Sequence, residues 1–278
     1  MKNYGLIESI PLRGDRRLGA VRKTVVQPDR NWGPYLPKKE LQAILFETAT
    51  CVSFSLTNCC EMQIKKQTGV EINISDRFLA KKSGTDPRLG NYFTNVFKSF
   101  DKDGFILEAK YPNDAQTIQE YYQEVPDYYG DYQLPFVPLH KQAKIMRDNI
   151  YYEPSWVGYG GVTNEELYEA LLYSPVQITV KAWKQPNSKG VYSYVDKGVN
   201  HAVTLFKMTE DGHKHIFDHY DQEIKILSPN FYVGAALSHI VEIKEKPELE
   251  FFVPLYNAKY GSFPKYPQYE EYLKTKKV

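Results

Sequence analysis

Thr50-Cys51-Val52-Ser53-Phe54-Ser55-Leu56-Thr57-Asn58-Cys59-Cys60 is the stretch on which the fold turns. Val52, Leu56, Cys59, Cys60 and Ile64 recur at helical spacing and form one wide apolar stripe. Phe54 and Met62 fall elsewhere on the wheel, so a helix over residues 51–66 is apolar on most sides and must be buried. Gly69 closes it. Cys51 then stands at the helix N-terminus, where the backbone dipole favours a thiolate over a thiol.

Upstream, residues 1–40 are broken by Pro11, Gly14, Gly19, Pro28, Gly33, Pro34 and Pro37 and read as an extended arm, with a basic patch of Arg13, Arg16, Arg17, Arg22 and Lys23. Downstream, Ser75 caps a short helix over 76–82 that Gly84 ends. A third helix spans 92–100 with Phe93, Val96, Phe97 and Phe100 inward. Residues 111–160 are rich in Tyr and Pro and show no clean period. They read as loop-dominated, with a helix near 140–148. Thr163 opens another helix, with Leu167, Ala170 and Leu171 inward.

The period then changes to two. Val176, Ile178, Val180 and Ala182 alternate with polar residues, which makes 175–183 a strand. Residues 203–208 and 214–218 are two more, joined by the turn Thr209-Glu210-Asp211-Gly212. Further strands are expected at 231–234 and 240–243. Helices first and strands later predict an α+β chain. Its expected parts are an arm over 1–40, a helical lobe over 41–160, a β-rich lobe over 161–256 and a surface tail over 257–278.

The hairpin carries a second reactive group. His201 in Val199-Asn200-His201-Ala202-Val203 precedes a strand, and Asp218 in Phe217-Asp218-His219-Tyr220 ends its partner. An imidazole beside Cys51 would favour the thiolate and later give a proton to a leaving amine. A carboxylate on the other ring nitrogen would fix the ring. The register decides whether the two can meet. With a loop of residues 209–212, residue 203 faces 218, and His201 is the diagonal same-face neighbour of Asp218. With a loop of 211–212 alone, Asp218 would face Leu205, too far away without a bulge.

These segments, in this order, resemble the papain-like cysteine peptidases over roughly residues 42–235. Cys51-Val52-Ser53-Phe54-Ser55 is similar to the family's Cys-Trp-Ala-Phe-Ser. Ala170-Leu171-Leu172-Tyr173-Ser174-Pro175-Val176 is similar to its helix-to-strand entry, and the segments around His201 and Asp218 resemble its histidine strand and Asn-Ser-Trp segment. The resemblance implies a helical left lobe with a central helix, a sheet or barrel-like right lobe, and an active-site cleft between. It implies Cys51 as nucleophile, His201 as acid–base and Asp218 as orienting group. It places Gly90 and Asn91 on the stretch that pairs with substrate backbone, with Asn200, Ala202 and Tyr220 also on the substrate side. Short "Cys-Val-x-Phe-Ser" relatives from bacteria and bacteriophages are the ones it suggests comparing first.

Three departures stand out. Asp218 replaces the family's Asn. Tyr220 stands where a Trp shields the His–Asn pair. Leu45 stands where the family has its oxyanion-hole Gln, and the nearest amide, Gln42, would need a bulged path through residues 43–50 to serve. Losing that donor would cost roughly 10²–10³ in rate.

Composition limits the alternatives. The chain has 278 residues and a formal net charge of +1, which argues against nucleic-acid binding by bulk charge. No apolar run approaches a membrane span, and the first eight residues lack a secretory apolar run. Cys51, Cys59 and Cys60 lie too close together for a long-loop disulfide, so free thiols and a cytoplasmic or virion-associated setting are expected. A zinc site from Cys59, Cys60, His213 and His215 lacks Cys-x-x-Cys spacing, so neither metal nor cofactor is expected. His219 and His239 show no partner pattern. The expected function is hydrolysis of a polypeptide substrate through an acyl-enzyme. The alternatives are a cell-wall peptide amidase and a protein that keeps this fold as a structural or binding unit without activity.

Overall fold

The computed structural model describes residues 4–18, 25–38, 40–127, 138–193, 196–221 and 224–244. α1 (Cys51–Thr68) runs through the middle, and every residue from Cys51 to Ile64 is buried. Gly69 ends it in the left-handed region, φ 69°, a conformation that costs glycine little. α2 (Asp76–Lys82) starts at Ser75, whose side chain accepts from the Phe78 N–H. α3 (Phe93–Asp103) buries Phe93, Val96, Phe97 and Phe100. α4 (Ile118–Tyr121) and α5 (Leu139–Asp148) complete the helical part.

Among the described residues the sheet has seven strands: β1 (Ile150–Tyr159), β2 (Val176–Val180), β3 (Val191–Tyr192), β4 (His201–Met208), β5 (Lys214–Phe217), β6 (Ile224–Leu227) and β7 (Ala235–Ile243). Their spatial order is β1-β7-β2-β4-β5-β6-β3. All neighbours are antiparallel except β3 and β6. α6 (Asn164–Ala170) precedes β2 and begins with a full capping box between Thr163 and Glu166.

Two expectations are corrected. Residues 150–159, read as part of a loop-dominated region, form the ten-residue edge strand β1. Its burial does not alternate and Pro154 interrupts it, which hides it from a period-two reading. An edge position tolerates that proline. Residues 231–234, read as a strand, join no ladder, and the last strand starts at Ala235.

The β4–β5 hairpin reaches the expected register by a different route. Met208 pairs with Lys214 and Lys207 with His215, so the loop is one residue longer than Thr209–Gly212. A bulge between Leu205 and Lys207 then takes up one residue, giving Leu205 opposite Ile216 and Thr204 opposite Phe217. The next position puts Val203 across from Asp218. The bulged Phe206 carbonyl accepts from the Trp32 N–H, 2.8 Å.

Two apolar clusters sit against α1. One joins Cys51, Val52, Leu56 and Cys60 to α3 and β7, and also takes in Leu6. The other joins Met62 to α6, β2 and β4, and takes in Trp32 from the N-terminal arm. Polar dowels fix the first turn of α1 on the sheet. Gln177 Nε2 on β2 donates to the Val52 carbonyl, 2.8 Å, and Thr204 Oγ1 on β4 donates to the Ser55 carbonyl, 3.1 Å. Among the described residues no helix is long and apolar enough to cross a membrane.

Candidate active site

Those dowels hold Cys51 at the N-terminus of α1, facing the start of β4. Its sulfur lies at the Ala202 N–H, one residue beyond His201. Burial pushes the Cys51 thiol well up; the Ala202 and Val52 N–H groups pull the other way, and the charges of Glu47 and Asp218 add to the rise. Cys51, His201 and Asp218 are all completely buried.

His201 and Asp218 meet across the hairpin. His201 Nε2 donates to Asp218 Oδ1, 2.9 Å. Asp218 Oδ1 also accepts from the Tyr220 N–H, 3.0 Å, and Oδ2 accepts from Trp183 Nε1, 2.7 Å. Lys225 Nζ stands 3.1 Å from Oδ2. Burial alone would raise the Asp218 carboxyl. The charge and hydrogen bond of His201, with His219 and Lys225 behind them, outweigh it and hold the group far below the usual carboxylate range. His201 Nδ1 is left without a hydrogen-bond partner, so the thiol and the imidazole are not bonded to each other.

The ring that covers this pair is Trp183, which follows β2. It lies edge-on to His201 at 5.9 Å as well as bonding Asp218. Tyr220, expected in that role from the chain order, lies further out. It packs at 6.2 Å from His201 and at 4.7 Å from Tyr4. His219, read as ordinary, belongs to the site. It is stacked 5.1 Å from Phe54 and lies 5.4 Å from His201. Neither of its ring nitrogens has a hydrogen-bond partner. Burial takes its pKa down to about 3. No sequence period could have singled out Trp183 or His219; only their aromatic type beside a candidate segment hinted at them.

Gln42 reaches the site by the bulged path. Residues 43–47 loop outward, leaving Ile44 and Leu45 exposed. The loop is closed by Thr48 Oγ1 donating to the Gln42 carbonyl, 2.8 Å, and by Gln42 Nε2 donating to Glu47 Oε1, 2.8 Å. The Gln42 N–H donates to the His219 carbonyl, 3.0 Å, which ties the loop to the β-rich side. Gln42 Nε2 also donates to the carbonyl of Tyr4, 2.9 Å. Ala49, two residues before Cys51, has φ 55°, a strained value for a residue with a Cβ.

The Tyr4 carbonyl is there because the N-terminal arm crosses the site instead of wrapping the surface throughout. The Tyr4 N–H donates to the Asn200 carbonyl, 3.2 Å, and its ring packs 4.9 Å from His201. Asn91 N–H donates to the Gly5 carbonyl, 3.0 Å, and Ile7 N–H to the Asn91 carbonyl, 2.9 Å. Leu6 and Asn91 thus form a parallel bridge. The Asn91 side chain is held by Ser83 and Thr85. Gly90, at φ 87°, lies so close that an added Cβ would stand 1.9 Å from the Gly5 oxygen.

Among the described residues, His201, Asp218 and His219 are the one group of three whose ligand atoms lie within 4.8 Å of each other. Both Asp218 oxygens are already taken by donors, and the Lys225 ammonium would repel a cation. The donor set fits a hydrogen-bonded pair and not a metal centre. Cys59 and Cys60 are buried along α1, Cys59 against Thr204 on β4, and all three thiols are free.

No family model matches the sequence, and no curated protein matches it. Solved structures do resemble the fold. Digestive procathepsin L 3 from the larval midgut of Tenebrio molitor is similar with a TM-score of 0.54 and 16% identity, over 82% of this chain and 74% of that one. The bromelain protease of Ananas comosus, solved in complex with the E64 inhibitor, is similar with a TM-score of 0.52 and 14% identity, over 76% of this chain and 98% of that one. The chain therefore has an α+β papain-like fold, a helical part followed by an antiparallel sheet.

Proposed function

We propose that the chain is a cysteine-type peptidase that cuts polypeptides through Cys51, His201 and Asp218. The observation that carries this reading is a buried His–Asp pair one residue from the N–H that meets a helix-terminal thiol, with an amide donor, Gln42 Nε2, on the carbonyl of Tyr4, whose ring packs on His201. In the reaction the Cys51 sulfur, as thiolate, bonds to the scissile carbonyl carbon. The oxyanion takes hydrogen bonds from Gln42 and the Cys51 N–H. His201 gives its proton to the leaving amine as the C–N bond breaks. Water, losing a proton to His201, then releases the acid and restores the thiolate beside the protonated ring. Asp218 holds the ring throughout. The expected cytoplasmic or virion-associated setting, and a bacterial or bacteriophage source, belong to the same reading.

One observation favours the rival, a papain-fold binding protein without activity: the Cys51–His201 hydrogen bond is absent and the thiol is pushed up by burial. Covalent labelling with an epoxide warhead separates the two. The peptidase reading expects adducts on Cys51 alone. Adducts spread evenly over Cys51, Cys59 and Cys60, or none under any condition, would favour the rival.

A further inference from the structure

We propose that Lys225 is a positioning residue of the candidate site: its ammonium cancels the Asp218 charge, so that the carboxylate orients His201 without leaving a net negative charge in the buried pocket. Its part in turnover rests on the peptidase reading; its charge balance does not.

Asp218 stands between two strands, and each sends it a nitrogen. On β4, Val203 lies across from it and His201 is two residues further along the same face. On β6, Lys225 lies opposite Ile216, two residues before Asp218, so it too is a diagonal same-face neighbour. The two groups take different oxygens. His201 Nε2 is 2.9 Å from Oδ1, and Lys225 Nζ is 3.1 Å from Oδ2. The Lys225 side chain is 2% exposed, and a lysine is almost never buried this far unless it is paired. Two rings hold its head in place. Nζ lies 5.3 Å from the Trp183 ring and 6.0 Å from the Tyr192 ring, and cation–π attraction strengthens where water is excluded. Trp183 touches both members of the pair, since its ring N–H is on the same Oδ2.

Cys51, His201, Asp218 and Lys225 set the charge of the site between them. With a thiol and a neutral imidazole, the carboxylate and the ammonium sum to zero. With a thiolate and an imidazolium, the four groups still sum to zero. Without Lys225 both forms carry one negative charge more than they can balance, in a place where Cys51, His201 and Asp218 have no exposed surface. An unpaired charge there is costly. The Asp218 charge already helps to push the Cys51 thiol up, and an unbalanced carboxylate would oppose the thiolate further. The other titratable groups around the four are His219, packed against His201, Glu47, whose charge acts on Cys51, and Asp221, which also accepts from Lys225. Asp221 is 42% exposed, so water screens it, and the ammonium acts chiefly on the buried carboxylate.

The test is a thermal-melting cycle near neutral pH of the full chain, Asp218→Asn, Lys225→Met and the double variant, with Lys225→Arg as the control that keeps the charge. Asp218→Asn should lower the melting temperature of the full chain, because it leaves the ammonium with Asp221 alone. In the Lys225→Met background the same change should raise it by roughly 5–10 °C, because it removes a stranded carboxylate. A lysine that only fills space gives Asp218→Asn the same sign in both backgrounds, and that result would overturn the proposal. If Lys225→Met does not fold, the double variant decides: a folded double variant supports the balance, and an unfolded one beside a folded Lys225→Arg overturns it. In turnover of a peptide substrate, both limbs of the pH–rate profile should move up by about one unit in Lys225→Met, move down in Asp218→Asn and return in the double variant. Limbs that stay in place in Lys225→Met overturn the proposal and leave the peptidase reading intact. A reversal of sign in the melts with no turnover by any of these proteins keeps the charge balance and removes the peptidase reading.

Discussion

His201 Nε2 and Asp218 Oδ1 lie 2.9 Å apart with neither side chain exposed, and the carboxylate is answered by three further donors. A buried charge network of this kind is costly to break from one side. Asp218→Ala should cost about 3–5 kcal/mol in urea unfolding, because His201 loses its acceptor and Lys225 keeps only the Asp221 carboxylate. Asp218→Asn, which keeps an oxygen for His201, should cost clearly less. Equal losses for the two would show that the charge is not what holds the site.

Trp183 donates to Asp218 Oδ2 and covers His201. Trp183→Phe keeps a ring and loses the donor. The expected loss is about 1.5–3 kcal/mol, the usual worth of a hydrogen bond to a charged group. Tyr220→Phe, which leaves the backbone N–H on Asp218, should change stability by less.

Stability should fall between about pH 6.5 and pH 8. Burial raises the carboxyls of Glu40, Glu61 and Asp76, and takes Glu108 to about 8. These acids stay protonated in the fold after the unfolded chain has lost its protons, so their contribution is present at acid pH and is lost as pH rises. Burial also depresses His215 and takes His219 and His239 down to about 3. They lower stability as pH falls below about 6.5, where the unfolded chain binds their protons. Asp218, held low, contributes above about pH 4 and is lost below it. Above about pH 6.5 the histidines are neutral in both states and the buried acids alone set the slope. The loss is about 1.4 kcal/mol per pH unit for each acid still protonated in the fold. A thermal-melting series across pH checks this; a melting temperature that rises from pH 6.5 to 8 would contradict it.

Gly90→Ala should destabilise the full chain severely, through both its positive φ and the Gly5 oxygen 1.9 Å away. In a chain lacking residues 2–9 the second cause is gone, and the penalty should shrink to the backbone cost of about 1–2 kcal/mol. Chemical denaturation of the four proteins gives the coupling directly.

Gln42→Ala should lower the turnover of a peptide substrate by roughly 10²–10³ with a smaller change in KM. A variant that loses KM and keeps kcat would make Gln42 a binding group and remove it from the oxyanion site.

The parts of the fold legible in the sequence were those with local signals. Ser75, the Thr163–Glu166 box and Gly69 marked helix ends because capping is decided within a few residues. β1 was hidden because Pro154 and burial on both faces erase its alternation. The site divided in the same way. Cys51, His201 and Asp218 stand out through residue type and order. Trp183 and His219 enter the pocket only through tertiary packing, as does the arm's passage over Asn91. Gln42 was visible as an amide, but its reach depends on how far residues 43–47 bow outward.

The extra residue at Phe206 has an outcome for handedness of the pocket. With a five-residue tip and a plain ladder, Asp218 would stand opposite Thr204, its carboxylate on the reverse side of the sheet from His201. The doubled position flips it back. Tips of other lengths are therefore compatible with the same chemistry only when the count of ladder irregularities changes by the same parity, and Trp32, clasping the irregular carbonyl, makes a residue far away in the chain a guardian of that count.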